Sequence, residues 1–257
     1  MNRINKLFES KEKGILSVYF CAGDPTPELT LPTIRALEKA GVDMVEVGMP
    51  FSDPIADGPV IQNAATRAIR SGMSVGRIFQ ELEEMRGDVD IPVLLMGYYN
   101  VVYHYGMEKF FESCERCGVD GCIIPDLPFE EYQRDYREMA QRRGVKMVFL
   151  VTPETSEERI RELDDATDGF IYAVSSASVT GAQKSFGEAK QAYFAKLDGM
   201  NLRNPWLIGF GISNRATREA AEKYSRGVIV GSKFVTLLEE LSDPALAIEA
   251  LKDALSR

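Results

Sequence analysis

The chain has 257 residues, of which 45% are hydrophobic and 27% are charged, and its formal net charge is −9. This length suits one α/β barrel or two small domains, and the composition is typical of a globular protein that buries a large core. The acidic balance argues against a nucleic-acid surface, because no basic stripe is present to displace counterions from phosphates, and no apolar run reaches the length of a membrane-spanning helix.

The N-terminal segment, residues 1–14, reads MNRINKLFESKEKG and lacks the apolar core of a signal peptide. Ile4, Leu7 and Phe8 are spaced as on one face of a helix, so we expect a short helix that covers the bottom of the fold. With no export signal, the four cysteines are expected to be reduced thiols in a cytoplasmic protein.

Short apolar runs then recur along the chain at regular intervals. They lie near residues 16–22, 44–49, 92–97, 121–126, 146–151, 169–174, 205–210 and 227–232. Because these runs do not alternate between apolar and polar residues, they predict strands that are buried on both faces and paired in parallel. Segments with helical spacing separate them. In one such segment, apolar residues recur at i, i+3, i+4 and i+7 before Gly118, namely Met107, Phe110, Phe111 and Cys114.

This alternation of strands and helices predicts a closed (β/α)8 barrel, a TIM barrel, with an extra N-terminal helix. Eight units about 30 residues apart account for the chain, and no linker-like or low-complexity stretch divides it. Strands and helices also alternate along the chain of an open doubly wound sheet. Such a sheet usually has a Gly-rich first turn, however, and no G-x-G-x-x-G follows the first run. We therefore expect one α/β domain over residues 1–257.

The second apolar run contains a glutamate, and the loop after it contains two aspartates. Residues 45–62 read VEVGMPFSDPIADGPVIQ, which includes Glu46, Asp53 and Asp57. Active sites of these barrels are built where strands end and βα loops begin, so Glu46 and Asp57 are candidates for acid–base chemistry. A water-poor position would raise the pKa of Glu46 and suit it to proton transfer near neutral pH. The structural alternatives are a solvated strand-end carboxylate for Glu46 and ordinary turn residues for the aspartates.

Glycine- and serine-rich segments follow the last three predicted strands. The loop after strand 6 ends in Thr180 and Gly181, strand 7 ends in GFGIS around Gly211, and strand 8 continues into Gly231 and Ser232. Glycines let backbone N–H groups approach a ligand closely, and a helix N-terminus adds partial positive charge. Because loops after strands 7 and 8 form the common phosphate site of these barrels, the pattern predicts a phosphorylated small substrate, with helix capping as the alternative.

Several longer motifs are distributed along the chain. They are FCAGDP at residues 20–25, the run at 45–62, GCIIPDLP at 121–128, SVTG at 178–181, GFGIS at 209–213 and GSKFV at 231–235. Together these motifs resemble the tryptophan synthase alpha subunit family, over essentially the whole chain, and E-x-G-x-P-F-S-D-P-x-A-D-G-P is the most specific part. The resemblance implies a lyase that cleaves indole-3-glycerol phosphate by a retro-aldol reaction to indole and glyceraldehyde 3-phosphate, with no metal and no organic cofactor in this subunit.

The resemblance also implies a partner, a pyridoxal-phosphate β subunit that receives indole through a tunnel and joins it to serine in tryptophan biosynthesis. The expected assembly is an α2β2 heterotetramer, with Asp53 and Asn100 facing the β subunit. An isolated α subunit is expected to be slow, because partner binding orders the loops after strands 2 and 6.

The same resemblance implies roles for individual residues. Glu46 would donate a proton to indole C3 and remove one from the substrate hydroxyl group on the carbon attached to C3. Ionised Asp57 would accept a hydrogen bond from the indole N–H. The phosphate would be held by Gly181, Gly211, Gly231 and Ser232. The indole pocket would be lined by Tyr19, Tyr172, Phe210 and Thr180. For the three aromatic residues, packing in the core is the alternative interpretation. Two positions depart from the family pattern: Tyr19 stands where better-known members have phenylalanine, and Ser178 stands where glycine is frequent.

Other functions remain as alternatives. Cys114, Cys117, Cys122 and His104 could supply four zinc ligands, although the cysteines fall on apolar segments and core packing explains them. A metal-dependent sugar-phosphate epimerase would gather several histidines at strand ends, and the chain has one histidine. A subunit that only activates its β partner is another alternative, and it would have no activity of its own. A solitary lyase that releases free indole is a third, and only its independence of a partner would distinguish it from the synthase subunit.

Overall fold

The computed structural model describes residues 1–175 and 186–256 of the chain. Eight parallel strands close into a barrel in the order β1-β2-β3-β4-β5-β6-β7-β8, which confirms the predicted (β/α)8 fold. The strands are β1 (Ile15–Cys21), β2 (Met44–Gly48), β3 (Val93–Met96), β4 (Gly121–Ile123), β5 (Lys146–Val151), β6 (Ile171–Val174), β7 (Trp206–Gly209) and β8 (Gly227–Val230). Each strand overlaps the apolar run that predicted it. Strand β4 ends before its run does, because Pro125 lacks the N–H that would continue the ladder.

Helices connect the strands and cover the outside of the barrel. The helices of the described residues are α1 (Arg3–Ser10), α2 (Thr30–Lys39), α3 (Pro59–Arg70), α4 (Val75–Leu82), α5 (Tyr99–Tyr105), α6 (Met107–Cys117), α7 (Phe129–Glu131), α8 (Arg137–Arg142), α9 (Glu157–Ala166), α10 (Glu188–Gly199), α11 (Arg215–Glu222), α12 (Ser232–Leu241) and α13 (Pro244–Ala254). Short 3-10 turns lie at Pro27–Leu29 and Met85–Gly87, and a π turn at Tyr132–Tyr136 joins α7 to α8. None of the helices in these described ranges is long and apolar enough to cross a membrane.

Helix α6 has the boundaries that its sequence predicts. Met107, Phe110, Phe111 and Cys114 are all buried and form its apolar face. Gly118 ends the helix with a φ of 67°, a left-handed conformation that glycine adopts without the steric cost of a Cβ atom. The local pattern was sufficient here because the apolar spacing and the terminating glycine agree.

The interior of the barrel is a core separate from the layer between strands and helices. This interior cluster comprises Ile15, Met44, Leu94, Ile123, Val148, Phe170, Tyr172, Val174, Leu207 and Ile229, together with Ile4 and Phe8 of α1. Ile4 and Phe8 are buried, and the Phe8 ring lies 5.7 Å from that of Phe170. Helix α1 therefore closes the bottom of the barrel, as predicted, and the opposite end, where the strands terminate, remains for the site.

The cysteines are packing residues of the core. All four are buried free thiols. The Sγ atoms of Cys114 on α6 and Cys122 on β4 lie 4.0 Å apart, and the Cys117 thiol donates to the backbone carbonyl of Phe79. In the part of the chain that the structure describes, no group of three or more His, Cys, Asp or Glu side chains is placed to hold a metal ion.

Candidate active site

Glu46 lies inside the barrel, at the middle of β2. It stands opposite Tyr19 of β1 and Leu94 of β3, and its side chain is fully buried. The Ser17 hydroxyl donates a hydrogen bond to Glu46 Oε1 at 2.8 Å, whereas Oε2 has no hydrogen-bond partner among the described residues. Burial raises the pKa of Glu46 from 4.5 to about 8, and the Ser17 hydrogen bond opposes this only in part. The carboxyl group is therefore able to gain or lose a proton near neutral pH.

Asp57 lies on the loop between β2 and α3. The Tyr98 hydroxyl donates a hydrogen bond to Asp57 Oδ2 at 3.0 Å and accepts one from the backbone N–H of Ala56 at 3.1 Å. The Gln62 side chain also holds the loop, by donating to the Asp57 backbone carbonyl at 2.9 Å. Burial raises the pKa of Asp57, and the Tyr98 hydrogen bond opposes that shift by stabilising the carboxylate. The two acids of one motif thus occupy different environments, an arrangement that suits them to different roles.

Tyr98 is a site residue that the sequence pattern did not reveal. It follows β3, lies 41 positions from Asp57 in the chain, and is buried with its ring 5.1 Å from that of Phe51. Its position just after a strand could have indicated this place, because the βα loops of adjacent strands meet at the same end of a barrel. Tyr98 holds the Asp57 carboxyl group in place and is therefore a positioning residue.

A cavity opens at the carboxyl end of the strands, next to Glu46. It contains about 810 Å³ of space, including its open mouth. Its wall includes Tyr19, Asp57, Met96, Tyr172, Phe210, Gly211, Ile229, Gly231, Ser232 and Lys233. Glu46 is not part of this wall, but Tyr19, which stands opposite it on β1, is.

Two glycines leave room for the tyrosines of the cavity. A side chain at Gly48 would overlap the Tyr19 hydroxyl, and a side chain at Gly209 would overlap the Tyr172 hydroxyl. The structure therefore explains Gly209 by the packing of Tyr172. The Tyr172 ring in turn packs edge-on against Phe210, with the ring centroids 6.2 Å apart.

The part of the cavity that follows β7 and β8 has the features of an anion site. Phe210 and Gly211 have φ values of 67° and 81°, and the Ser175 hydroxyl supports this turn by donating to the Phe210 carbonyl at 2.6 Å. A positive φ costs a phenylalanine about 1–3 kcal/mol, so the surrounding structure must hold it. Gly231 directly precedes α12, whose first residue is Ser232 and whose first turn contains no acidic residue. Backbone N–H groups at such a helix N-terminus can bind an anion.

The predicted site residues fall into three groups. The cavity brings together Tyr19, Asp57, Tyr172, Phe210, Gly211, Gly231 and Ser232, and Glu46 lies next to it. Asp53 and Asn100 are exposed and do not belong to the cavity wall. Thr180 and Gly181, like Ser178, lie outside the described residues.

Comparison with known proteins identifies the family. Residues 5–255 match the family model described as tryptophan synthase alpha chain. The tryptophan synthase alpha chain of Bacteroides thetaiotaomicron is 60% identical over 255 residues, which cover 99% of this chain and 100% of that protein. This chain belongs to the tryptophan synthase alpha chain family.

Solved structures of tryptophan synthase have the same fold. The crystal structure of tryptophan synthase subunit alpha from Legionella pneumophila matches with a TM-score of 0.88 and 34% identity, over 99% of this chain and 97% of that chain. A chain of tryptophan synthase from Mycobacterium tuberculosis, in an aminoacrylate-bound form, matches with a TM-score of 0.85 and 29% identity, over 100% of this chain and 98% of that chain.

Tryptophan synthase alpha chains catalyse the cleavage of indole-3-glycerol phosphate, a lyase half-reaction of tryptophan biosynthesis. They have no cofactor of their own and work with a β subunit, which holds pyridoxal phosphate. A retro-aldol cleavage of this substrate needs a proton donor, a proton acceptor and a phosphate site. The cavity and Glu46 offer a candidate for each of these requirements.

Proposed function

We propose that this chain cleaves indole-3-glycerol phosphate with Glu46 as the proton carrier and Asp57 as the group that stabilises positive charge. The observation that supports this proposal is the state of Glu46. Its carboxyl group is fully buried, has a pKa of about 8 and keeps one oxygen free of hydrogen bonds to the described residues, next to the cavity at the carboxyl end of the strands. A buried carboxyl group with an unpaired oxygen is costly, and a catalytic role explains its presence.

The phosphate group of the substrate binds at the end of the cavity that follows β7 and β8. The backbone N–H groups of Gly211, Gly231 and Ser232 hold it, together with the N-terminus of α12 and, by resemblance, Gly181. An acidic protein can bind a phosphate in this way because backbone dipoles supply the positive potential.

The indole ring binds against the aromatic part of the wall. Tyr19, Tyr172 and Phe210 surround it, and Thr180 is a further wall residue by resemblance. The Asp57 carboxylate accepts the hydrogen bond of the indole N–H, which places a negative charge beside the ring nitrogen. The phosphate and the ring are thus held at separate places, with the glycerol chain between them.

One carboxyl group can carry out both proton transfers. Protonated Glu46 turns from Ser17 into the cavity and donates its proton to indole C3, so that positive charge develops at the ring nitrogen, where Asp57 stabilises it. Ionised Glu46 then removes the proton of the hydroxyl group on the adjacent side-chain carbon. The C–C bond breaks, its electron pair restores the indole ring, and the hydroxyl carbon becomes the aldehyde carbon of glyceraldehyde 3-phosphate. Glu46 ends protonated, as it began.

We expect indole release to slow as the pH rises through about 8. The reaction starts from protonated Glu46, and the pKa of this group is raised to about 8, so the reactive form is present below that pH and is lost above it. Above the pKa, kcat should fall about tenfold per pH unit. The Ser17 hydrogen bond lowers the pKa of Glu46, so Ser17→Ala should move the inflection to higher pH. A kcat profile measures both effects, and a rate that increases through pH 8 would instead show that the ionised carboxylate starts the reaction.

We further propose that the chain acts as one domain in a cytoplasmic α2β2 heterotetramer and contacts the β subunit beside the cavity mouth. Asp53 and Asn100 are exposed on the Asp57 loop and on α5. Two large apolar side chains are exposed on the same elements: Ile55 is 87% exposed and Tyr103 is 61% exposed. Exposed apolar side chains mixed with polar ones are typical of protein contact surfaces. Direct transfer at such a surface would keep apolar indole from being lost to solvent.

The test of this function is indole release from indole-3-glycerol phosphate by the purified chain, with and without a β subunit. We expect slow release by the chain alone and an increase of about tenfold or more with the partner, because partner binding orders the active-site loops. No release from a folded protein under either condition would contradict the proposed function. Equally fast release without the partner would indicate a solitary lyase.

A further inference from the structure

Tyr19 spans the distance between the two ends of the proposed site. It lines the cavity and stands opposite Glu46 in the register between β1 and β2. Its Cδ1 atom lies 3.5 Å from the point that a Cβ atom at Gly231 would occupy, in the proposed phosphate site. At the far end of the ring, the hydroxyl group occupies the space over Gly48, at the end of the strand that carries Glu46. The side chain therefore runs from the phosphate end of the cavity to the proton-transfer end.

The Tyr19 hydroxyl group is available to a ligand. No residue within 1–175 or 186–256 makes a hydrogen bond with it, although the side chain is half-buried in the cavity wall. Burial, followed by the nearby Cys21, Asp57 and Glu46, raises the pKa of Tyr19 well above 10.0, so the phenol keeps its proton at physiological pH. A protonated phenol can donate one hydrogen bond and accept another.

The substrate carries a complementary group at the corresponding place. Indole-3-glycerol phosphate joins its ring to its phosphate through a glycerol chain, which bears hydroxyl groups. A chain that extends from the N-terminus of α12 toward Glu46 passes along the Tyr19 side chain. We infer that the Tyr19 hydroxyl group hydrogen-bonds a hydroxyl group of the glycerol chain and so holds the reacting carbon near Glu46. This inference rests on the proposed function, because it assumes the same bound substrate.

This contact would let the site select a hydroxylated substrate. A half-buried phenol that pairs with a substrate hydroxyl is left without a partner when that hydroxyl is missing. Sites built in this way discriminate against the deoxygenated analogue more strongly than apolar packing can. Recognition of the glycerol chain would therefore come from the Tyr19 hydroxyl group, while the Tyr19 ring belongs to the wall around the indole.

The test compares two ligands that differ only in the chain: indole-3-glycerol phosphate and 3-(indol-3-yl)propyl phosphate, which lacks the hydroxyl groups. Calorimetry gives their dissociation constants for Glu46→Gln, which prevents turnover, and for the double variant Glu46→Gln/Tyr19→Phe. We expect loss of the Tyr19 hydroxyl to weaken binding of indole-3-glycerol phosphate about tenfold and to change binding of the propyl analogue less than about twofold. Tyr224→Phe makes the same change at a half-buried tyrosine beside Phe194 and should alter neither constant.

Two results would overturn the inference. Equal weakening for both ligands would mean that Tyr19 acts through packing of its ring, and no change for either would mean that its hydroxyl group does not contact the substrate. Turnover is a separate measurement: in the wild-type background, Tyr19→Phe should lower kcat/KM for indole release about tenfold. If the wild-type chain binds indole-3-glycerol phosphate but releases no indole, the proposed function fails, while the two dissociation constants still decide the role of Tyr19.

Discussion

Glu46→Gln is expected to lower kcat for indole release by about 10³-fold or more while making the protein more stable than the wild type at pH 8. The loss of activity follows because glutamine can neither donate a proton to indole C3 nor remove one from the substrate hydroxyl. Glutamine keeps the size of the side chain and can still accept the hydrogen bond of Ser17, so the barrel interior should pack as before.

The gain in stability follows from the raised pKa of Glu46. The pKa is near 4.5 in the unfolded chain and about 8 in the folded protein, so between these values folding requires Glu46 to take up a proton. The contribution of Glu46 to the free energy of unfolding is therefore fully present below about pH 4.5 and is lost as the pH rises through about 8. The total loss is up to about 5 kcal/mol. Glutamine does not ionise and avoids this loss.

Indole release and urea-induced unfolding, each measured at a weakly acidic and a weakly alkaline pH, test both expectations for Glu46→Gln. The difference in unfolding free energy between variant and wild type should be small at the lower pH and large at the higher one. Glu249→Gln, at an exposed position of α13, is the matched control and should change neither property. An active Glu46→Gln variant would exclude Glu46 as the proton carrier. An inactive variant that is less stable than the wild type at pH 8 would assign Glu46 a structural role.

Asp57→Asn should lower kcat about 100-fold, the second largest effect that we expect. The asparagine side chain can still accept a hydrogen bond from Tyr98 and from the indole N–H. It carries no charge, however, and so cannot stabilise the positive charge that develops on the ring nitrogen when C3 is protonated. Binding of the propyl phosphate analogue, which does not react, should change much less than kcat, because the charge develops only during the reaction.

Tyr98→Phe provides a graded comparison for Asp57. Removing the Tyr98 hydroxyl leaves the charge of Asp57 in place but takes away the hydrogen bond that orients it and the acceptor for the Ala56 N–H, so kcat should fall about tenfold. In the Asp57→Asn background the same change should have little further effect, because the two residues act together. Measuring kcat for the two single variants and the double variant completes the comparison. Unchanged kcat in Asp57→Asn, or full additivity in the double variant, would contradict these roles.

The sequence by itself determined the elements of the fold and pointed to the two candidate acids of the site, because both appear in local patterns. Apolar runs without alternation predicted the strands, and the spacing of Ile4 and Phe8 predicted the helix that closes the barrel. Glu46 and Asp57 were recognisable because an acid in a buried strand, or in a loop at a strand end, is costly unless it is used. The roles assigned to these residues remain predictions.

Only the tertiary structure decided which groups surround those acids. Ser17 bonds Glu46 across 29 positions of sequence, and Tyr98 bonds Asp57 across 41 positions. The pKa of about 8 at Glu46 depends on burial by the closed barrel, and the path of Tyr19 depends on how β1 lies between β2 and β8. A hydrophobic pattern sets the face that each strand buries, but the register between strands follows from closure of the whole barrel. Contacts across strands are therefore defined only when the entire chain has packed.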